Sequence, residues 1–519
     1  MFDRVIADAL VVDGTGAPGF PGWVGLRGEY IRAIGRGSAP GAAMIVDGSG
    51  LVLAPGFVDV HNHSDLSPFL LPCMPSTLRQ GITTVVVGNC GSSPWPRAGW
   101  EEAVLLANGD PAELPAFAWR SWGDYLDAID VARPAVNVAT LIGHGSVRRE
   151  VMGLERRYPT AEELERMHRL VAEAIHEGAA GLSTGLIYVP GIFSRTDEVI
   201  ALAEAAAAQG GLYASHIRGE GRDLFTAVEE AIRIGQVAGL PVHVSHLKCE
   251  SARVWGKAGE LLGRIHAAGA TGDQYPYAAW NSSLSSLLPA WAAVVSVAAI
   301  AASHHERLRA AVEDGEADFQ SSVDGVGWDA IVITDTIDSR FNGMGVAAIA
   351  DALSCDPFDA FVALLTEAPE TACIGHAMRE DDVSAILADP EVFVASDASA
   401  VSPDSPAGSL PVHPREYGTF PRALALSRDL GLLPLEAVIR KMTLLPAERF
   451  GLAGRGKIAE GAFADLVLFD AEAIRDVATF EEPHAFPIGI HTVLVNGQVA
   501  WQQGSPEVIR AGRALRRGA

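Results

Sequence analysis

The stretch 55–66, PGFVDVHNHSDL, decides the fold, because an apolar run that is typical of a buried strand ends in two histidines one residue apart. Residues i and i+2 of a strand point to the same face, so the side chains of His61 and His63 can reach one point in space. Such a pair on its own is more often structural than metal-binding. A metal site requires further ligands that converge on the same point from other segments of the chain.

The same pattern recurs along the chain after this stretch. Short apolar runs end in polar residues or glycine, and segments with apolar residues at helical spacing follow most of them. The runs are LVLAPGFVDV, TTVVVGN, NVATLIG, AAGLSTG, GLYAS, PVHVS, TGDQYP and VFVAS. Eight strands that alternate with helices are what a (β/α)8 TIM-like barrel requires, so we predict this α/β fold for residues 55–450.

The two ends of the chain have a different pattern. Short β-like runs are separated by turn signals, as in VIADALVVDGTG near the start and HTVLVNGQVAWQQG near the end. We predict that residues 1–54 and 451–519 together form one small β-sandwich domain. Residues 282–337 interrupt the alternation of strands and helices, and we predict an insertion there that acts as a lid or as a packing surface.

Composition excludes several classes of partner. The 519 residues carry a formal net charge of −25, which argues against nucleic acid, since phosphate binding needs clustered Lys and Arg. Residues 278–303 contain no charged side chain, but their apolar centre is shorter than the roughly 20 residues that a membrane span needs. We therefore expect a buried or lid helix there and no membrane partner. Oligomer formation stays open.

Cysteine usage and the N-terminus favour a cytoplasmic location. The five cysteines are odd in number and follow no spacing typical of a disulfide framework, which favours a reducing compartment. The first residues, MFDRVIADALVVDG, reach Asp and Gly before the apolar region of a signal peptide could form.

Candidate metal ligands follow the predicted strands, at the face where such barrels carry their active sites. They are His61 and His63 after the first run, Cys90 after the second, His144 after the third, His216 after the fifth, His246 after the sixth and Asp397 after the eighth. A thiolate with two imidazoles leaves the fourth position of a zinc ion open to water, as in a catalytic site.

The remaining candidates have supporting roles or none. The pair His61 and His63 either holds a second, weaker metal or helps to bind the first. Asp397 supplies a carboxylate that accepts a proton from the attacking water. We expect His144 to form a hydrogen bond with the backbone rather than a metal bond, and the other four cysteines to be unreactive.

Several sequence blocks resemble known proteins. PGFVDVHNHSDL resembles the first-strand motif of the amidohydrolase superfamily. The blocks GNCG, GLIYVPG and HPREYGTFPR resemble the N-acyl-D-amino-acid deacylase family, also called D-aminoacylases. The likeness runs along nearly the whole chain, from FDRVIADALVVDGTGAPG to GKIAEGAFADLVLFD.

The resemblance implies a role for each site residue. A tightly bound zinc ion would be held by Cys90, His216 and His246, with a second, weakly occupied position at His61 and His63 and with Asp397 as the acid/base. The cysteine takes the place of the carboxylated lysine that bridges two metals in many superfamily members. The substrate α-carboxylate would be held by Lys248, Tyr188 and Arg415, which offer a point charge, a hydroxyl and a bidentate fork.

The activity implied by the resemblance is zinc-dependent hydrolysis of N-acyl-D-amino acids to a carboxylate and a free D-amino acid. The chain departs from the family pattern at Ala398, where a glycine is common, and over 292–306, AAVVSVAAIAASHHE, where Gly-Gly and a charged helix are common. No arginine within 278–303 could pair with an acidic side chain. We therefore expect a neutral or hydrophobic D-residue rather than D-Glu or D-Asp.

Three alternatives stay open to different degrees. A hydantoinase-type cyclic amidase would need a bridging lysine on the fourth strand, and AAGLSTG contains none. A dipeptidase that accepts a C-terminal D-residue is compatible with the sequence. A non-catalytic scaffold of the same fold would usually lack the metal ligands that this chain retains.

Overall fold

A computed structural model of the protein describes residues 2–96, 119–316 and 319–518. The strands are β1 (Phe2–Val11), β2 (Phe20–Arg27), β3 (Tyr30–Gly35), β4 (Ala42–Asp47), β5 (Val52–Pro55), β6 (Phe57–Asp59), β7 (Ile82–Val87), β8 (Asn137–Gly143), β9 (Gly181–Gly185), β10 (Leu212–His216), β11 (Val242–Val244), β12 (Thr271–Gln274), β13 (Trp280–Ser283), β14 (Ile331–Asp335), β15 (Ala372–Gly375), β16 (Phe393–Val394), β17 (Leu466–Phe469), β18 (Ile490–Val495) and β19 (Gln498–Gln502).

The α-helices of the described residues alternate with the central strands. They are α1 (Ser67–Leu70), α2 (Pro75–Leu78), α3 (Trp122–Ala132), α4 (His144–Met152), α5 (Ala161–His176), α6 (Thr196–Ala208), α7 (Leu224–Ala238), α8 (Ala258–Ala267), α9 (Val297–Asp314), α10 (Val346–Leu353), α11 (Pro357–Glu367), α12 (Glu380–Leu387), α13 (Arg415–Asp429), α14 (Leu435–Met442) and α15 (Leu444–Arg449). None of the helices in the described part of the chain is long and apolar enough to cross a membrane.

Strands β6 to β12 and β16 form a parallel barrel in chain order. Its two edges meet where the Asp397 N–H donates to the His61 carbonyl and the His63 N–H donates to the Ala398 carbonyl, each at 2.8 Å. The predicted (β/α)8 architecture is therefore confirmed. The closing contacts also bring the first and eighth strand ends together, which places His61 and His63 beside Asp397.

Burial on both faces explains why the barrel strands are almost continuously apolar. Every residue of β7 (ITTVVV) and of β8 (NVATLIG) is buried, because one face packs into the barrel and the other against helices. The barrel interior and its lower end contain the buried residues Val58, Val60, Val86, Ala139, Leu141, Ala180, Leu212, Ala214, Phe393, Ala395, Ala447, Phe450 and Leu452. This packing leaves the polar ends of the strands at the opposite, open face.

Helix α5 illustrates how local sequence defines the outer layer. The Thr160 hydroxyl accepts from the Glu163 N–H at 3.2 Å, and the Glu163 carboxylate accepts from the Thr160 N–H at 2.7 Å, which forms a capping box. Met167, Val171 and Ala174 are buried at helical spacing. The amphipathic segment therefore forms the helix that its periodicity predicts.

Both ends of the chain form one β domain, as predicted. All eight of its strands belong to a single sheet in the order β19-β18-β17-β5-β1-β2-β3, with β4 also paired to β1. A bulge at Asp8, whose φ is +56°, divides β1 into a half that pairs with β4 and a half that pairs with β5. Buried residues from both ends of the chain form one shared core, which includes Leu26, Ile31, Leu466 and Leu468.

The segment between β12 and β16 contains a unit with its own core. Strands β13, β14 and β15 form an antiparallel sheet, and helices α9 to α11 pack on it through buried residues such as Leu308, Phe358 and Phe361. The unit includes residues 282–337 but extends to β15, because β15 lies between β13 and β14 in the sheet. Within 278–303 the α-helix begins only at Val297. A role as a lid or as a packing surface stays a prediction.

Candidate metal centre and active site

The thiol of Cys90 lies at the centre of the ligand cluster. Its Sγ is 3.6 Å from His216 Nδ1, 3.6 Å from His246 Nε2 and 3.3 Å from His61 Nε2. These residues follow or end β7, β10, β11 and β6, so four separate strand ends meet at one sulfur atom. The structure therefore brings three of the candidate histidines, His61, His216 and His246, together with Cys90.

The distances fit ligands that share one metal ion. A tetrahedral zinc with metal–sulfur and metal–nitrogen bonds of about 2.3 and 2.0 Å separates sulfur from nitrogen by about 3.5 Å. The 3.6 Å separations of Cys90 Sγ from the ring nitrogens of His216 and His246 agree with that value. The donor set therefore suits a zinc ion.

A second group of donors adjoins the first. Asp397 Oδ1 lies 3.1 Å from His63 Nε2 and 3.4 Å from His61 Nε2. One ligand atom from each of His61, Cys90, His246 and Asp397 falls within 4.8 Å of all the others. Cys90 and His246 therefore border both groups.

Three of the site residues have a left-handed backbone conformation. Cys90, His246 and Asp397 all have positive φ, at +52°, +36° and +52°. A left-handed conformation costs about 1–3 kcal/mol for a residue other than glycine, and such strain concentrates at functional sites. In the GNCG block, a Cβ on Gly88 would approach the Leu141 carbonyl oxygen to 2.0 Å, so only glycine fits there.

The surroundings of Cys90 favour its thiolate form. Burial alone would raise the pKa of the thiol, but the charge of His61 and hydrogen bonds with His216 and His246 hold that pKa well below its usual range. The thiolate is the form that binds metals. Electrostatics and geometry therefore point to the same role for this side chain.

Two carboxylates behind the histidines were not predicted as site residues. Glu220 Oε1 lies 2.9 Å from His246 Nδ1, a nitrogen that is also 2.8 Å from Lys248 Nζ, while its other oxygen lies 3.8 Å from His216 Nε2. Asp273 accepts from the His246 backbone N–H at 2.9 Å and lies 3.7 Å from His61 Nδ1. Outer carboxylates of this kind fix the orientation and tautomer of metal-binding imidazoles.

The residues predicted to hold a substrate carboxylate surround the cluster, but two of them already pair with acids. Lys248 Nζ donates to Glu220 Oε1 at 2.7 Å. Arg415 Nη1 donates to Asp397 Oδ2 at 2.8 Å, while its Nε is buried and has no hydrogen-bond partner in the described part of the chain. The Tyr188 ring packs edge-on to His216, with 4.9 Å between ring centroids.

The ring of Tyr275 lies near both Arg415 and Lys248, although Tyr275 was not predicted as a site residue. Its ring centroid lies 4.8 Å from Arg415 Cζ and 5.7 Å from Lys248 Nζ. Its buried hydroxyl has no hydrogen-bond partner among the described residues. A polar group that is left unsatisfied beside two cations is suited to meet an anionic ligand.

His144 lies outside the ligand cluster. Its Nε2 is 2.9 Å from Glu198 Oε1, and both side chains are buried. The third strand therefore contributes no described metal ligand, and His144 pairs with a carboxylate instead of the backbone group that we expected. Of the other cysteines, Cys249 and Cys373 are buried, Cys355 is exposed and Cys73 is half-buried.

Comparison with known proteins agrees with this geometry. The model of the amidohydrolase family matches residues 44–313 and 394–501. The chain is 36% identical to a D-aminoacylase of Alcaligenes xylosoxydans xylosoxydans, over 100% of this chain and 98% of the relative. It is 38% identical to an N-acyl-D-glutamate deacylase of the same organism, over 100% of this chain and 97% of the relative.

A solved structure extends the match to three dimensions. The N-acyl-D-glutamate deacylase from Bordetella bronchiseptica, complexed with zinc and a phosphonate inhibitor, superimposes with a TM-score of 0.83. The two sequences are 34% identical, and the match covers 99% of each chain. The chain therefore belongs to the amidohydrolase family, within its group of N-acyl-D-amino-acid deacylases.

Proposed function

We propose that the protein is a zinc-dependent hydrolase that cleaves the amide bond of N-acyl-D-amino acids to a carboxylate and a free D-amino acid. The observation that carries the proposal is the meeting of Cys90 Sγ with ring nitrogens of His216 and His246, at 3.6 Å each, beside the carboxylate of Asp397. The activities named for the full-length relatives support the substrate class.

The donor geometry supports a division of the ligands between two positions. Cys90, His216 and His246 would hold the tightly bound zinc ion, and His61 with His63 would form a second, weakly occupied position. Bound zinc polarises an amide carbonyl and lowers the pKa of a water molecule. The chain itself supplies the proton transfers and the orientation of the substrate.

Asp397 is the proposed acid/base. Its Oδ1 faces the histidine cluster, while Arg415 holds Oδ2 at 2.8 Å and so fixes the plane of the carboxylate. The Asp397 carboxylate accepts a proton from the attacking water and donates it to the leaving nitrogen. Both transfers use one positioned group, as amide hydrolysis requires.

The substrate α-carboxylate is proposed to bind between Arg415, Lys248 and Tyr188. The buried Nε of Arg415 makes no hydrogen bond within the described ranges, and the Tyr188 hydroxyl lies at the mouth, 3.4 Å from Ser282 Oγ. Lys248 adds positive charge although Glu220 already binds it. This arrangement would fix the end of the substrate that is common to all N-acyl amino acids.

A release assay tests the proposed function. We expect purified enzyme to release free amino acid from N-acetyl-D-amino acids, to lose this activity with a chelator and to regain it with zinc. Equal rates on D and L substrates, or no release from either, would contradict the proposal. A hydantoin and a dipeptide with a C-terminal D-residue, assayed in parallel, test the alternatives; β9 (GLSTG) contains no lysine for the hydantoinase type.

Replacing Glu220 by Gln is expected to weaken zinc binding by about 10–100-fold, because the imidazole of His246 loses its carboxylate acceptor. Competition with a chromogenic chelator measures this affinity without any substrate. The matched control is Glu230→Gln, since Glu230 is a partly buried carboxylate that pairs with Arg218 instead of a proposed ligand. Equal zinc affinity in the two variants would show that Glu220 does not support the metal site.

A further inference from the structure

A cavity of about 500 Å³ adjoins the proposed metal centre. The loop after β9 contributes Ile187 and Ile192, the loop after β10 contributes Glu220, and the inserted unit contributes Ala290 and Gln320. The Glu220 carboxylate also lies 2.9 Å from His246 Nδ1, so this residue belongs both to the cavity wall and to the surroundings of the proposed metal centre. The volume is in the range of small-molecule pockets, and the position beside the Tyr188 loop suits a substituent of the substrate.

Glu250 is a buried acid in the wall of this cavity. The residue is 5% exposed, and its Oε1 has no hydrogen-bond partner among the described residues. Its other oxygen is 3.4 Å from Gln320 Nε2. An unsatisfied buried polar group is unfavourable, and more so when it is charged, so a ligand that donates a hydrogen bond to Oε1 would bind more tightly.

The cations near the cavity are paired elsewhere or lie at its rim. Arg157 forms ion pairs with glutamates outside the lining, and Arg218 does the same with Glu230. Lys248 is bound to Glu220, and Arg156 is exposed. Burial and the neighbouring charge of Glu220 raise the pKa of Glu250 to about 7, although Ser322, the charge of Lys248 and Trp280 oppose the rise. An N–H group of a ligand would therefore meet the Glu250 carboxyl group, which forms no ion pair with a Lys or Arg side chain of the described residues.

We propose that Glu250 determines side-chain specificity by accepting a hydrogen bond from a D-residue whose side chain ends in N–H groups, as in D-arginine or D-lysine. This inference rests on the proposed function. Ile187, Ile192 and Ala290 provide apolar surface for the aliphatic stem, and Glu250 meets the polar head. This inference departs from the expectation of a neutral or hydrophobic side chain, because it favours a basic one, while acidic side chains stay disfavoured by like charge.

Kinetics on three substrates test the role of Glu250. A hydrogen bond to a charged group is worth about 1.5–3 kcal/mol, so Glu250→Gln is expected to lower kcat/KM for N-acetyl-D-arginine by about 10–100-fold, mainly through KM. The value for N-acetyl-D-leucine is expected to change by less than about threefold, and that for N-acetyl-D-glutamate to rise, because the like charge is removed. Glu306→Gln, at an exposed acid on α9, is the control and should leave all three values unchanged.

An equal loss of kcat/KM on all three substrates would overturn the inference. If Glu250→Gln lowers all three values equally or reduces the zinc content, Glu250 is a structural residue. If the wild-type enzyme hydrolyses N-acetyl-D-leucine but does not prefer the arginine to the glutamate substrate, the cavity does not select for donors. Either result would leave the proposed deacylase function standing.

Calorimetry separates this inference from the proposed function. Zinc-loaded Asp397→Asn protein is titrated with N-acetyl-D-arginine and N-acetyl-D-glutamate, with and without Glu250→Gln. Tighter binding of the arginine ligand that depends on Glu250 supports the inference even if the wild-type enzyme releases no amino acid. Equal affinity for the two ligands overturns it.

Discussion

Asp397→Asn is expected to lower kcat for an N-acetyl-D-amino acid by about 10²–10⁴-fold while zinc stays bound, because an amide cannot accept the proton of the attacking water. Asn keeps the size of the side chain and an oxygen that can face Arg415, which now donates to Asp397 Oδ2 at 2.8 Å. KM is expected to change less than kcat. Steady-state kinetics together with metal analysis of the same sample measure both effects.

The matched control for this prediction is Asp404→Asn. Asp404 is an exposed acid on the loop that follows Asp397, and its side chain has no ion pair among the described residues. This variant should retain wild-type kcat and zinc content. If Asp397→Asn itself keeps a near wild-type rate with zinc bound, Asp397 is not the acid/base, and another group must move the proton.

The barrel and its ligands could be predicted because each ligand stands at the end of a strand with a clear apolar pattern. His61, Cys90, His216 and His246 follow runs that are buried on both faces, and parallel strands bring their carboxyl ends to one edge. Imidazole and thiolate side chains are also recognisable as zinc donors from their chemistry alone. Pattern and chemistry therefore selected the same residues.

The outer carboxylates could not be predicted in the same way. Glu220 follows His216 by four residues but lies in a loop, where sequence spacing does not determine which side chains meet. Asp273 lies within the seventh predicted run, TGDQYP, yet a single carboxylate between Gly272 and Gln274 has no distinguishing pattern. The partner of Lys248 could not be predicted for the same reason. The block VSHLK predicts a cation at the barrel mouth, but it does not predict that Glu220 binds this cation.

The extent of the inserted unit depends on contacts distant in sequence. Strand β15 has only the residues Ala372–Gly375 and pairs with both β13 and β14. A strand this short gives little periodicity, and its partners lie far away along the chain. The uncharged stretch 278–303 is likewise divided between β13, a turn of 3-10 helix at Leu284–Leu287 and the start of α9, which composition alone does not reveal.

Cys90→Ser is expected to weaken zinc binding by at least about 100-fold, more than loss of an outer-sphere partner, because the sulfur that contacts three ring nitrogens is replaced by a poorer donor. Activity at low zinc should fall with it. The fold should persist, since the cysteine lies at the open face while the barrel core lies below it. Chelator competition, kinetics and circular dichroism measure these three quantities.

Cys355→Ser provides the control for Cys90→Ser, because Cys355 is an exposed cysteine in the connection between α10 and α11. It should keep wild-type zinc affinity and rate. Zinc should also protect Cys90, but not Cys355, from a thiol reagent in the wild-type protein, since a metal-bound thiolate is a poorer nucleophile than a free one. If Cys90→Ser binds zinc and hydrolyses substrate as the wild type does, the sulfur is not a ligand. His61, His246 and Asp397, whose ligand atoms also lie within 4.8 Å of one another, would then form the metal site without it.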